Sequence, residues 1–378
     1  MKPNKSLKII SDILKRISSV TYYLGMATFR KAYVQDELNT KKKLSKGEFV
    51  DKGAIKKVWK NIHVNNVWYA YYNSIERESK SEFDARYIPL DIEYSYIDDW
   101  FNNTNAALVI DDKNMYDLYF HDVNMPTTVG RVIGGKYLDK DYQVISIQKL
   151  IEQCQSVKHV ILKPAVNSSA GHGIAFWNES EGAEVLEKLL TERNNIIVQT
   201  LIRQHEEINK IYPESVNSIR IVTCHFKGET RVLSSVIRMG QDGNKLDNAS
   251  QGGLFCGINE DGTLKKYAYT KYGVACTTHP QGAVFAECRI PNFDKCKELV
   301  VGLSNRFLRI SKLISWDLAL GENGEPVLIE VNLCYGGTDI HQIANGPLFG
   351  NMTADVLNCV FKQQKKYRRV NKILSIYK

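Results

Sequence analysis

Three oxygen-bearing side chains, Asp317, Glu330 and Asn332, stand in the segment SWDLALGENGEPVLIEVN, which otherwise reads as two apolar strands. Leu318, Leu320, Val327, Leu328 and Ile329 call for burial, and a carboxylate buried among them is costly unless something pairs with it. Asn323-Gly324 is the dipeptide favoured in a two-residue type I′ turn, and that turn sets Asp317 directly opposite Glu330. Opposed residues bring their Cβ atoms to about 4.5–5.5 Å, and Asn332, two positions past Glu330, points to the same side. Like charges directly opposite one another are unfavourable, so the arrangement asks for a cation. An all-oxygen set suits Mg²⁺ or Mn²⁺ rather than zinc. Pro326 lacks an N–H donor and could lengthen the loop, shifting the register by one. The competing reading of this stretch is an exposed hairpin with solvated acids.

A second constellation lies in VILKPAVNSSAGHGI, where an apolar run ends in Lys163-Pro164 and a loop of small residues leads into another strand. Backbone N–H groups of such a loop can turn inward and, with a lysine at its edge, hold phosphates. Gly171 and Gly173 allow close backbone approach, and Ser168 and Ser169 add hydroxyl donors. The segment does not fit G-x-x-x-x-G-K-[ST], so it is no Walker motif, and a plain interstrand loop is the alternative. Downstream, NNIIVQTLI followed by RQHEE offers backbone groups for an adenine edge and Glu206 for a ribose. Arg220 in VNSIRIVT and Arg238 in the next run are guanidiniums on apolar strands. Such a group either pairs structurally, with an acid such as Glu214 or Glu229, or meets a carboxylate or phosphate.

The elements that must carry these residues follow from pattern. Residues 1–103 read as mostly helical and rich in Lys, Tyr and Trp, with no glycine-rich turn after a strand, unlike a Rossmann unit. AALVIDDKNMYDLYF reads as a short strand, an acidic start and a helix. Strand, loop, strand, helix and strand then run to NNIIVQTLI, and period-two runs alternate with glycine turns from SIRIVTCHF onward. The sum is an α+β body with largely antiparallel sheets. Charged, apolar-poor ERESKSEFDA, from Glu76 to Ala85, reads as a linker.

With 378 residues, 43% of them hydrophobic, the chain can hold two or three domains. No stretch approaches the roughly 18 apolar residues of a membrane span, and charges at Lys8, Asp12, Lys15 and Arg16 argue against a signal peptide. Eight cysteines without a Cys-x-x-Cys, such as Cys224 and Cys334 in apolar runs, read as buried thiols of a reducing cytoplasm. The net charge of +8 has its excess in KKKLSKGEFVDKGAIKKVWK and KQQKKYRRVNK. Both read first as solvated faces and second as contacts with an anionic membrane or polymer, giving a cytoplasmic, membrane-peripheral setting. LKIISDILKRISSV is a helical stripe. The basic ends lack interleaved aromatics on a common platform, which argues against nucleic-acid binding.

The order of these parts resembles the ATP-grasp superfamily, and within it the sugar-transfer-associated branch. The matching stretches run from DDKNMYDLYFHDVNMPTTV through VILKPAVNSSAGHG, IIVQTLIRQHEEI, VNSIRIVT and LDNASQGGLFCGIN to SWDLALGENGEPVLIEVNLCYGGTDIHQ. The resemblance implies two α+β subdomains gripping ATP, at 104–202 and 203–378, beside the helical domain at 1–103. It makes Lys113 and Lys163 the nucleotide lysines, lays Ser168, Ser169, Gly171, His172 and Gly173 over the phosphates, and makes Gln199, Thr200, Leu201 and Ile202 the adenine hinge with Glu206 at the ribose. Asp317, Glu330 and Asn332 would hold two Mg²⁺ ions, with Mn²⁺ as a substitute. Arg220 would face the transferring phosphoryl group, with Lys163 as its catalytic companion. Arg238, Asn248, Gly252, Gly253 and Asp339 would line the acceptor pockets.

The implied chemistry is an ADP-forming carboxylate–amine ligase working through an acyl phosphate, in surface (capsular or O-antigen) polysaccharide biosynthesis. Its substrates would be a uronic-acid sugar or nucleotide sugar and an amine such as an amino acid. The rivals are a kinase acting on a sugar hydroxyl and a non-catalytic nucleotide-binding scaffold. Candidates for a general base are His341 and Asp339. Many ATP-grasp ligases begin with a Rossmann-like domain, so the helical start departs from them.

Overall fold

The structure is a computed structural model, and it describes residues 25, 32, 34–60, 62–78, 82–166 and 171–362. The helical stripe at 7–20, Ser168, Ser169 and nearly all of the C-terminal basic segment lie outside the described residues. The chain forms two compact units, one of residues 1–75, 80–101 and 346–378, the other of 76–79 and 102–345.

The first unit is helical among its described residues. Helix α1 (Gln35–Leu44), α2 (Lys52–Trp59) and α3 (Asn66–Ser74) are followed by a helical run over 90–101. Asp51 caps α2 and Asn65 caps α3 by accepting from the N–H of Ala54 and Val67. Its core is aromatic: Trp59, Trp68, Tyr69 and Tyr72 are fully buried, and Tyr72 stacks on Tyr87 at 4.8 Å.

The second unit holds two antiparallel sheets. In the five-stranded sheet β1 (Thr128–Ile133), β2 (Lys136–Asp139), β3 (His159–Pro164), β4 (Ala175–Asn178) and β5 (Asn195–Thr200) lie in the order β2-β1-β5-β3-β4. The seven-stranded sheet contains β6 (Ile219–Phe226), β7 (Glu229–Met239), β8 (Leu254–Ile258), β9 (Leu264–Tyr269), β10 (Ala275–Cys276), β11 (Leu313–Leu320) and β12 (Pro326–Asn332), ordered β10-β9-β8-β7-β6-β11-β12. Each sheet has its own apolar core: Leu150, Leu162, Trp177, Leu186 and Val198 pack in the first, and Ile219, Ile221, Ile237, Trp316 and Leu328 in the second. This is the expected α+β class.

Two sequence expectations change. AALVI is not a strand: Thr104–Ile110 is helix α4, capped by Asn103 through the Ala106 N–H, with Ala107 and Ile110 turned into the core. Two alanines after a capping Asn favour helix over strand. The boundary between the two units falls at the 76–85 stretch, whose start is held by its own contacts: Tyr267 and Tyr269 donate to Glu76, and Arg77 donates to the carbonyls of Gln342 and Ile343. No cysteine is in a disulfide, but Cys334 is only half-buried, unlike Cys224. Among the described residues no helix is long and apolar enough to cross a membrane.

Candidate functional site

The β11–β12 hairpin confirms the opposition of Asp317 and Glu330, by a different route. The turn is not the two-residue type I′ form. Gly321 and Glu325 close a three-residue loop, with the Gly321 N–H on the Glu325 carbonyl at 2.9 Å and Gly324 at φ +75°. A bulge then steps the register from Leu318↔Leu328 to Asp317↔Glu330, leaving Ile329 as the extra residue. Asn332 pairs with Ser315, so Glu330 and Asn332 share a face.

On its other side β11 pairs with β6, and there Asp317 lies opposite Arg220. Arg220, Asp317 and Glu330 therefore form one row across three strands. Ile219 and Ile221, flanking Arg220, are fully buried on the opposite face, so strand alternation itself commits the guanidinium to this one. Arg220 donates to both Asp317 oxygens, Nε to Oδ1 and Nη2 to Oδ2, each at 2.7 Å. Arg238 Nη2 reaches Oδ2 of the same carboxylate at 3.2 Å. Asp317 is 2% exposed. Burial pushes its carboxyl pKa up, but the Arg220 and Arg238 charges outweigh that and hold it below the ordinary range. The acid that faces Arg220 is thus Asp317, not Glu214 or Glu229.

The two arginines are anchored unequally. Arg238 donates through Nε and Nη2 to Ser218 Oγ at 2.9 and 2.6 Å and sits 3.7 Å from Asp247. Ser218 in turn donates to Asp247. Among the described residues Arg220 makes one further hydrogen bond, Nη1 to the Gly336 carbonyl at 3.4 Å. Gly337, at φ +66°, adopts a left-handed conformation there, and a Cβ at that position would stand 3.1 Å from Arg220 Nη1.

The lysines come from β3, which carries Lys163, and from the 3-10 turn of Lys113–Met115 beside it. The Lys113 N–H donates to the Ala165 carbonyl at the end of β3 (2.9 Å), and Lys113 Nζ forms an ion pair with Glu330 at 2.7 Å. Its turn is held from behind, because Arg131 Nε and Tyr142 OH both donate to the Asn114 carbonyl. Lys163 Nζ donates to Gln199 Oε1 at 3.2 Å. Burial lowers the Lys163 pKa to about 8, with Glu330 opposing and Lys113 adding to the fall. Burial likewise raises Asp111 to about 6, against the nearby Lys113.

Other expected residues fall around this centre. Gly171 and Gly173 have φ +75° and +77°, and a Cβ at Gly173 would press on Pro164 at 2.8 Å. A Cβ at Gly171 would meet Leu246 at 3.2 Å and Gln251 at 3.4 Å, which sets this loop against the 246–253 turn. Within that turn Asn248 caps Ser250, and Gly253 is required by packing, since a Cβ would meet the carbonyls of Asp247 and Met239. Thr200 pairs with Thr127, Ile202 is half-buried, and Leu201, His172 and Glu206 are exposed. His341 is buried, its Nδ1 is 2.9 Å from Ser234 Oγ, and burial, aided by Arg220, lowers its pKa to about 3. It is a neutral imidazole at ordinary pH. Asp339 begins the helix of Asp339–Asn345 and is half-buried.

The donor chemistry fits a hard divalent cation at Glu330 and Asn332, both half-buried on one face. Asp317 can join them only in competition with its arginines, since Oδ1 accepts from Arg220 and Oδ2 faces both Arg220 and Arg238. Sequence reasoning missed Ser218, Asp247 and Asp111. Ser218 had a signal, standing two residues before Arg220 in extended chain just ahead of β6.

Among solved structures, the chain is similar to the biotin carboxylase domain of 2-oxoglutarate carboxylase from Hydrogenobacter thermophilus, solved with MgADP, ADP and bicarbonate, at 12% identity and a TM-score of 0.41 over 68% of this chain and 47% of that one. It is also similar to D-alanyl-alanine synthetase A from Vibrio cholerae (14%, TM-score 0.39, 70% and 65%) and to the VanG D-Ala:D-Ser ligase from Enterococcus faecalis (14%, 0.40, 69% and 63%). The chain thus spans less than two thirds of each of these proteins. No curated protein sequence matches it. The model of the sugar-transfer associated ATP-grasp family matches residues 93–356, a span that contains every residue of the row, both lysines and the glycine loop. The chain belongs to that family.

Proposed function

We propose that this protein is an ADP-forming carboxylate–amine ligase. The observation that carries the reading is the convergence of Arg220 and Arg238 on one carboxylate, beside Lys113 and Lys163. Paired guanidinium forks suit planar carboxylates and phosphates, and a buried lysine close to them suits a polyphosphate. A substrate carboxylate oxygen would attack the γ-phosphorus of ATP, with ADP leaving, and the amine would then displace phosphate from the acyl phosphate. The arginines orient the carboxylate and stabilise charge on the transferring group, and Lys113 and Lys163 bind the nucleotide phosphates. Gln199 to Ile202 and Glu206 would hold the nucleoside; Asn248, Gly252, Gly253 and Asp339 would shape the acceptor pockets.

Glu330, Asn332 and a released Asp317 would hold Mg²⁺, two ions by family analogy and Mn²⁺ as a substitute. The metal would neutralise phosphate charge. The family's association with sugar transfer supports a uronic-acid sugar as the carboxylate and an amino acid as the amine, in surface polysaccharide biosynthesis. A peripheral membrane setting is supported by Leu44 and Phe49, 48% and 73% exposed among the exposed lysines 42, 43, 46, 52 and 56.

The test is a screen of ATP turnover against uronic-acid sugars paired with amino acids. Release of ADP and phosphate that requires both substrates supports the ligase. ADP formed together with a phosphorylated sugar would replace it with a kinase.

A further inference from the structure

We infer that Arg220 is an exchangeable counter-ion, occupying at Asp317 the place of the divalent cation until nucleotide arrives. The inference rests on the metal reading above and assigns the order in which that site is loaded.

Three observations carry it. Oδ1 of Asp317 accepts from Arg220 at 2.7 Å, and Oδ2 faces both Arg220 at 2.7 Å and Arg238 at 3.2 Å, so a cation at this carboxylate competes directly with the Arg220 fork. Arg238 contacts the same carboxylate but is also held by Ser218 and neighbours Asp247, so Asp317 keeps a counter-charge when Arg220 leaves. Among the described residues Arg220 is tethered otherwise only by a long contact to the Gly336 carbonyl, and Gly337, lacking a Cβ, leaves room beside its Nη1. Of the two guanidiniums, Arg220 is the one built to move. A phosphate arriving in front of it gives the fork a second anion, and the vacated oxygens become ligands. Cation and nucleotide binding are then positively coupled, and coupling of this kind is reciprocal.

The experiment titrates the full-length protein with Mn²⁺, followed by calorimetry and the Mn²⁺ EPR signal, with and without a non-hydrolysable ATP analogue. It needs no acceptor substrate, so the ligase reading can fail without affecting it. The wild type binds Mn²⁺ weakly alone and about tenfold or more tightly with the analogue. In Arg220→Gln, Mn²⁺ affinity without nucleotide rises about tenfold, and Glu330→Gln in that background removes the gain. A merely structural Arg220 would give a looser site on substitution, not a tighter one. Should Arg220→Gln fail to fold, Arg220→Lys, which keeps the charge but loses the planar fork, serves in its place and gives a smaller rise in the same direction. A folded Arg220 variant with unchanged or weaker Mn²⁺ affinity overturns the proposal. So does a wild type that binds one Mn²⁺ with a Kd near ~10 µM before nucleotide is added.

Discussion

On the five-stranded sheet, buried Lys163 donates to a neutral amide, Gln199, whereas on the seven-stranded sheet buried Asp317 is held by two guanidiniums. The ammonium is under-compensated and its pKa falls to about 8; the carboxyl is compensated to excess and its pKa falls too. The same direction has opposite meaning. For an acid a lowered pKa is stability gained on folding, and for a base it is stability given up. One sheet stores an unmet demand for an anion, and the other has its demand met from within.

Removing an acid from the row tests this contrast most harshly. Glu330→Gln takes the partner from Lys113 and the charge from the proposed cation site. Turnover measured as ADP release falls by about 10²–10³ or more while the circular dichroism spectrum is kept. A near-normal rate at low Mg²⁺ would remove Glu330 from the site.

Lys163→Met should do the reverse to stability. Below pH 8 both folded and unfolded states carry the proton, and the folded state bears the cost of a buried ammonium, on the order of 3 kcal/mol for the pKa difference. Between about 8 and the ordinary lysine value the unfolded chain binds more protons, so wild-type stability rises with pH. The variant should therefore melt several degrees higher at pH 7, with the gain shrinking by pH 10, and should bind nucleotide poorly. A lower melting temperature at pH 7 would show that Lys163 is already compensated.

On the saturated side the sign flips. Ser218→Ala removes the hydroxyl that accepts from Arg238 Nε and Nη2 and donates to Asp247, leaving Asp317 to Nη2 and the residue-218 N–H to Asp247, and should cost about 1–3 kcal/mol, read by urea denaturation. An unchanged midpoint would mean that Arg238 finds another anchor. The smallest effect concerns the other unit. Phe49→Ser should weaken co-sedimentation with vesicles containing anionic lipid about threefold to tenfold, without changing turnover in solution. Equal sedimentation of both proteins would leave the exposed lysines as a solvated face.

The opposition of Asp317 and Glu330 was legible because alternation and a turn signal both lie within one short segment. The route was not, since the three-residue loop and the bulge at Ile329 each shift the register by one and cancel. Arg220 was legible as a charge needing a partner. Its actual partner was not, because β6 and β11 meet across 97 residues of chain and no local pattern reports which long-range strands pair. Asp247 stayed hidden for the same reason, in a loop whose proximity to Ser218 depends on the sheet order. The helix at Thr104–Ile110 was misread because a short apolar run fits either period, and the deciding cap, Asn103, stood just outside it.

Lys113, in the 3-10 turn of Lys113–Met115, bridges the two sheets. Its main chain is fastened to the Ala165 carbonyl at the end of β3, and its ammonium grips Glu330 on β12. The residue works as a latch, since the sheets cannot spread at this point without stretching a 2.7 Å charge-assisted bond. Anything that competes for the Glu330 oxygens also slackens that latch. Charge at one carboxylate and the mechanical stiffness of the cleft are therefore a single variable, and a probe of hinge motion such as hydrogen exchange should respond to cations as well as to nucleotide.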